Sequence, residues 1–267
     1  MPETVRSVAD HVDASGANVD VSGTYQQLWA VIDELYQKVA ARFELTRDPS
    51  TERFEQYGAE GGPQGTVRAY SGPEVDWMVH SWLGDTAHSF SNMHLTVWLG
   101  PHIKVPHFGL AFGTFPDVWC YIDSVPRSDL MLDLESLDRY YEPVNEEHLE
   151  VRTRDGLTNF VSRSLYVRTS LSSTAHVFKT PDVDRGVASV RELAHAHLDR
   201  WLRWVDEAEA VPAGERAALA ERDLAVRRNV AERDPANVMG VRYFGQETTD
   251  ALVRALWGGD RVLPRPG

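Results

Sequence analysis

Hydrophobic residues recur with two different spacings along this chain. In several segments they fall on one face of a helix, which predicts helices over residues 25–43, 126–141, 187–205, 213–232 and 247–257. Elsewhere they alternate with polar residues, which predicts strands over residues 53–57, 66–70, 75–83, 92–99, 103–112, 118–124, 164–169 and 175–179. We expect an α+β fold in which helices cover both faces of one central antiparallel sheet.

The segment 92–113 predicts a hairpin with two chemically different faces. Residues 93, 95, 97 and 99 are apolar and share one face of the first strand. The other face carries His94, Thr96 and Trp98, and the second strand presents His107, Gly109 and Ala111 in alternation. A two-residue turn at Gly100-Pro101 would place residue 94 opposite residue 107. Two imidazoles beside two small residues indicate a wall on which a flat ligand could lie.

Charge and composition exclude several classes of partner. The net charge is −13 and the predicted pI is near 5.2, with basic residues scattered along the chain, so nucleic acid is not an expected partner. The sequence shows no pattern typical of a secretory leader. It also has no run of about 18 apolar residues that could span a membrane, so a membrane is not an expected partner. We expect a cytoplasmic protein with residues 1–22 as a flexible N-terminal arm and residues 23–267 as a single domain.

Common catalytic and cofactor motifs are missing from the sequence. Neither GxGxxG nor GxxxxGK[ST] occurs, and GxSxG and HExxH are also absent. His195 and His197 lie two residues apart on a predicted helix and so point to different faces, which argues against a metal site. Cys120 lies in an apolar run typical of a buried, unreactive thiol. We therefore expect no metal and no tightly bound cofactor, with an external electron donor or dioxygen as the co-reactant.

The order of several motifs is similar to that of a known family. The segments are His80-Ser-Trp-Leu83, the hairpin 92–113, Ile122-Asp-Ser-Val-Pro-Arg-Ser-Asp-Leu130, Tyr140-Tyr-Glu142, Ser162-Arg-Ser-Leu-Tyr-Val-Arg168 and Ser172-Ser-Thr-Ala175. Across residues 75–260 the chain resembles the red chlorophyll catabolite reductases, which belong with the ferredoxin-dependent bilin reductases. The resemblance implies an α/β/α sandwich that binds an open-chain tetrapyrrole between sheet and helices.

The same resemblance implies roles for individual residues. In bilin reductases a strand histidine precedes a Pro-x-Phe-Gly-x-acid run, and His94 and the run 106–111 match these places. The histidine is present, but Ala111 stands where the family has the acid that protonates the tetrapyrrole. A second family acid corresponds to Asp234, which could equally be a helix-ending Asp before Pro235.

The leading hypothesis is an oxidoreductase that acts on a planar conjugated or aromatic molecule. His94 would transfer a proton, assisted by His107 and Asp234, and substrate-binding residues would be His80, Thr96, Trp98, Gly109 and Ala111. One alternative is a non-catalytic protein that binds a tetrapyrrole or another lipophilic pigment. The other is a cofactor-independent oxidase or isomerase of a phenolic substrate.

The electron donor and the oligomeric state stay open at this point. Ferredoxins are acidic, so a net charge of −13 disfavours ferredoxin as a partner. Arg222, Arg227, Arg228 and Arg233 could still form a local basic patch. A homodimer is one alternative for the oligomeric state.

Overall fold

The computed structural model describes the backbone of Glu3–Val5 and, in full, residues 19–58 and 61–262. Most of the predicted arm, residues 1–22, therefore lies outside the described residues. Its described part includes β1 (Glu3–Val5), which pairs in parallel with a strand near the middle of the chain.

Ten strands of the described chain form one sheet. After β1 they are β2 (Thr46–Arg47), β3 (Tyr57–Gly58), β4 (Gln64–Ser71), β5 (Val75–Asp85), β6 (Phe90–Leu99), β7 (His107–Phe115), β8 (Asp117–Val125), β9 (Thr158–Ser162) and β10 (His176–Thr180). The order is β1-β9-β10-β8-β7-β6-β5-β4-β2, with β3 paired to β4. All described pairs other than β1–β9 are antiparallel.

Helices cover both faces of this sheet, as predicted. They are α1 (Ser22–Arg42), α2 (Asn145–Thr153), α3 (Leu165–Ser170), α4 (Val183–Asp206), α5 (Arg216–Glu232), α6 (Asn237–Phe244) and α7 (Gln246–Trp257). Helices α1 and α4 pack on one face, which we call the packed face, and α5 and α7 lie over the other, which we call the cavity face. No helix in the described ranges is both long and apolar enough to cross a membrane.

The alternation along β6 and β7 divides the side chains between the two faces. Met93, Leu95 and Val97 enter the large core beneath α1 and α4, together with Phe108, Leu110 and Phe112. Burial of these side chains removes most of their apolar surface from water, and this is the main source of stability at the centre of the sheet. The residues between them point to the cavity face.

Two of the predicted strands are wrong. Residues 164–169 form helix α3, because the Ser164 side chain accepts a hydrogen bond from the Val167 amide and begins a helix there. Residues 53–57 do not form a strand: residues 53 and 54 end a helical turn, Pro49–Phe54, residues 55 and 56 form a bend, and Tyr57 begins β3. The turn begins where Asp48 accepts a hydrogen bond from the Ser50 amide. In both places a capping side chain outweighs the β-forming residues that follow it.

The predicted register of the central hairpin is also wrong. His94 pairs with Ala111, and Thr96 pairs with Gly109, so residue 94 does not face residue 107. The reason is the connection, which spans residues 100–106 and not two residues. Arg127 holds this connection by donating to the carbonyl oxygens of Gly100, at 3.3 Å, and of Ile103.

Candidate active site

A cavity of about 520 Å³ lies over the centre of the cavity face. Its floor is formed by β6, β7 and β8, where Gly109 and Ala111 contribute almost no side-chain volume. A methyl group added to Gly109 would touch the Val125 side chain only at an ordinary 3.4 Å, so the space above this glycine is open. The small residues of β7 therefore create the cavity.

The walls of the cavity are mainly aromatic and apolar. On the sheet, Tyr121 lies between Trp119 and Phe160, with ring centroids 5.9 and 5.2 Å away. Helix α3 and the junction between α5 and α6 cover the opening, and Tyr166 and Pro235 come from these two segments. Planar aromatic walls suit a flat conjugated ligand, since rings bury much area at little entropic cost.

His94 points into the cavity from β6, beside Thr96 and Trp98. Burial lowers the pKa of His94 to about 4, because desolvation disfavours the imidazolium form. At neutral pH the ring is therefore neutral and offers one N–H donor and one nitrogen acceptor.

Two carboxyl groups with raised pKa values also line the cavity. Asp123 on β8 is 4% exposed, and burial raises its pKa to about 6, although hydrogen bonds from Ser172 counter part of this effect. Asp234, just after α5, accepts a hydrogen bond from the Ala236 amide at 2.8 Å, and burial raises its pKa as well. A carboxyl group with a raised pKa holds its proton more readily than an exposed one, so both are candidate proton donors.

One cation lies among the residues of this lining. Lys179 on β10 extends from the strand next to β8, and its ammonium nitrogen is 3.8 Å from a carboxylate oxygen of Asp117 at the rim. In the part of the chain that the structure describes, no group of three or more His, Cys, Asp or Glu side chains is arranged to hold a metal ion.

The comparison with protein families places the chain. The model of the family described as red chlorophyll catabolite reductase matches residues 29–257. The chain belongs to this family. The matched range begins well before residue 75, where the resemblance read from the motifs starts, and includes most of α1.

Individual relatives agree with this membership. The chain is 27% identical over 223 residues to red chlorophyll catabolite reductase 1 of Oryza sativa subsp. japonica, covering 77% of this chain and 68% of the rice protein. It is 30% identical over 174 residues to the protein of Hordeum vulgare, covering 60% of this chain and 83% of the barley protein. The sequence-based family assignment is confirmed, and with it the prediction of an enzyme of the oxidoreductase class.

A solved structure shows the same fold. Phytochromobilin synthase from tomato, crystallised with biliverdin, matches with a TM-score of 0.72 over 86% of this chain and 82% of that protein. The identity is 14%, so this likeness concerns the fold. The predicted α/β/α sandwich of the bilin reductases is confirmed.

Six of the nominated site residues lie together around the cavity. They are His94, Thr96, Trp98, Gly109, Ala111 and Asp234. Asp234 comes from the helical layer and the other five come from the sheet, so the fold brings together residues that are distant in sequence. Residue 234 follows the predicted helix 213–232, as the sequence indicated.

His107 and His80 lie outside the cavity lining. His107 shares the cavity face, but it is buried where its Nε2 is 3.3 Å from an Asp223 carboxylate oxygen and its Nδ1 accepts a hydrogen bond from the Leu99 amide. His80 points to the packed face, where its ring stacks between Trp29 and Tyr36 at 4.9 and 4.8 Å. The predicted role of His107 depended on the wrong register, and the alternation along β5 places His80 on the packed face with Met78.

Asp123 and Lys179 were not nominated from the sequence. Asp123 stands inside the quoted motif 122–130, and the alternation along 118–124 places it on the face opposite Cys120 and Ile122. That pattern alone could have identified it. Lys179 carried no comparable signal, because its position depends on the pairing of β10 with β8.

Proposed function

We propose that this family member reduces an open-chain tetrapyrrole in the cavity above β6, β7 and β8. The observation that carries the proposal is the space of about 520 Å³ over Gly109 and Ala111, enclosed by aromatic side chains. Sites of this size commonly hold small-molecule ligands. Support comes from the family, which is named for a chlorophyll catabolite, and from the tomato protein of the same fold, which holds biliverdin.

The lining suits the chemistry of such a ligand. Its conjugated rings would lie flat on the floor at Gly109 and Ala111 and contact the aromatic wall around Tyr121. A carboxylate of the ligand would find the ammonium group of Lys179 at the β10 side of the cavity.

Reduction of one double bond takes up two electrons and two protons. We assign the electrons to an external one-electron carrier of the iron–sulfur class, such as ferredoxin, with no tightly bound cofactor on this chain. Each electron makes the ligand more basic, so protons pass to it from groups on the cavity face. His94 would donate its N–H to the ligand and exchange a proton there, with Asp234 as a second acid at the covering segment.

The electron carrier would have to meet a local positive surface, because the net charge of −13 repels an acidic protein. Of the arginines considered for such a patch, Arg227 is buried and pairs with Asp76 at 2.8 Å. Arg233 is exposed and lies over the ring of Tyr166 at the cavity opening, 5.9 Å from the ring centroid. Docking would therefore centre on the segment around Arg233.

Visible absorption tests the proposal. The protein is titrated with biliverdin and, separately, with a red chlorophyll catabolite, and reduced ferredoxin is then added. We expect a shifted bound spectrum that bleaches or moves further on reduction. If neither tetrapyrrole gives a bound spectrum, the proposal is wrong and a smaller phenolic substrate becomes the better hypothesis.

Ala111 favours a second candidate function, a pigment-binding protein without catalysis. The methyl group of Ala111 cannot donate a proton. The low pKa of His94 means that its ring is neutral at neutral pH and has no imidazolium proton to donate. In this case biliverdin would bind, but its bound spectrum would persist unchanged in the presence of reduced ferredoxin.

A further inference from the structure

Asp123 is the carboxyl group most deeply set in the floor of the cavity. It lies on β8 directly across from Gly109 of β7, and its side chain is on the same face as that glycine. Because Gly109 has no side chain, no neighbour on β7 covers the carboxyl group from that side. Asp123 is 4% exposed, yet it borders the space that the ligand would fill.

The partners of Asp123 differ from those of other buried acids. Asp223 is also buried and pairs with the guanidinium of Arg127 at 2.5 Å, as a structural carboxylate usually does. Asp123 instead accepts hydrogen bonds from the Ser172 amide, at 2.8 Å, and from the Ser172 hydroxyl. Neutral donors of this kind support a carboxylate without fixing it permanently in the charged form.

Titratable groups approach Asp123 from several elements. His176 on β10 and Tyr141 before α2 interact with it electrostatically, and His197 on α4 contacts its main chain. The other ionisable side chains of the described cavity lining are His94, Asp117, Tyr121, Tyr166, Lys179 and Asp234. Burial is the largest influence and raises the pKa of Asp123 to about 6, whereas Ser172 and His176 act in the opposite direction.

We propose that Asp123 is a catalytic proton donor of this cavity and that Ser172 is its positioning residue. The inference rests on the proposed function, because it assigns one of the two protons of that reduction. The iron–sulfur carrier supplies both electrons to the ligand. The O–H bond of Asp123 breaks, and its proton forms a new C–H or N–H bond on the ligand. The second proton passes to the ligand through His94 and Asp234, as proposed above, and is replaced from solvent through the opening.

Ser172 stabilises the carboxylate that this step leaves behind. Its amide and hydroxyl both donate to the Asp123 oxygens, so they favour the product of proton transfer. Asp123 then regains a proton from water before the next turnover. If Ser172 had a purely structural role, removing its hydroxyl group would not change the pH dependence of the reduction rate.

The experiment compares four proteins: wild type, Asp123→Asn, Ser172→Ala and Asp138→Asn. Asp138 is an exposed residue outside the cavity lining and serves as the matched control. Biliverdin affinity is measured by visible absorption, and the single-turnover reduction rate with reduced ferredoxin is measured between about pH 5 and pH 9. Circular dichroism reports whether each variant is folded.

We expect the wild-type rate to fall as pH rises through about 6, since the donor must be protonated. Asp123→Asn should bind biliverdin within about threefold of wild type but reduce it about 100-fold more slowly. Ser172→Ala should shift the falling limb to higher pH, because loss of a hydrogen bond to the carboxylate raises the pKa of Asp123. Asp138→Asn should match wild type.

Each other outcome has a defined meaning. If wild type reduces biliverdin and Asp123→Asn does so within about threefold, the role of Asp123 is wrong and the proposed function stands. If wild type neither binds nor reduces a tetrapyrrole, the proposed function fails and the role of Asp123 with it. If Asp123→Asn does not fold, the pH profile of Ser172→Ala decides: an unshifted limb overturns the proposal.

Discussion

The two faces of the sheet are built from the same strands but serve different purposes. On the packed face, Phe108, Leu110 and Phe112 of β7 fill the space beneath α1 and α4. On the cavity face, Gly109 and Ala111 of the same strand leave their space empty. Large residues at even positions stabilise the sheet, and small residues at odd positions make room for a ligand. Stability and binding can therefore be changed independently in neighbouring residues.

Phe112→Ala should have the largest effect on stability. The side chain is fully buried on the packed face, so its loss leaves a cavity that costs about 3–5 kcal/mol in the free energy of unfolding. Urea denaturation measures this loss. The matched variant on the cavity face, Ala111→Gly, should cost only about 1 kcal/mol or less. Equal losses at the two positions would remove the distinction between the faces.

Ala111→Phe should remove binding while the fold is kept. The ring would project between His94 and Tyr121, which flank residue 111 on the neighbouring strands, and occupy the floor of the cavity. We expect biliverdin affinity to fall by about 100-fold or more, with little change in the urea midpoint, since the space is open. Unchanged biliverdin affinity in a folded variant would show that the ligand lies elsewhere.

Two histidines on opposite faces allow a matched test of catalysis. His94→Ala should lower the reduction rate about 100-fold and leave the protein folded. His80→Ala removes the ring that stacks between Trp29 and Tyr36, so it should reduce stability but leave the rate of the folded protein unchanged. Full activity in His94→Ala would contradict the assignment of His94.

The pH dependence of stability should be similar on the two faces and is the smallest effect. Burial lowers the pKa of both His80 and His94 from 6.5 to about 4, so each is neutral when folded and readily protonated when unfolded. The contribution of the two neutral rings to the free energy of unfolding is present above pH 6.5 and is lost as pH falls toward 4. At about pH 5.5 each histidine should lower the free energy of unfolding by about 1 kcal/mol relative to neutral pH. Urea denaturation of His80→Phe and His94→Phe should show a weaker loss on acidification, and a slope equal to that of wild type would contradict the assignment.

Strand alternation and helical spacing predicted the two-sided sheet and the residues of each face. They predicted that His94, Thr96 and Trp98 share a face with Gly109 and Ala111, and the structure agrees. These predictions succeeded because the period of two is a local property that burial enforces along the whole strand.

The register of the hairpin could not be predicted in the same way. It depends on the connection 100–106, which is fixed by distant partners: Arg127 binds its carbonyl groups, and the Trp201 indole donates to the Pro106 carbonyl at 2.8 Å. The alternation along β8 is sufficient to predict that Asp123 faces the cavity, but it does not predict the hydrogen bonds between Asp123 and Ser172. Those depend on how the segment after α3 returns to β8.

A crystal structure of the protein with biliverdin tests the central claim most directly. The account predicts a tetrapyrrole on the cavity face, lying across Gly109 and Ala111, with hydrogen bonds to His94 or Asp123. A ligand bound against the packed face, or at a site away from β6, β7 and β8, would contradict it.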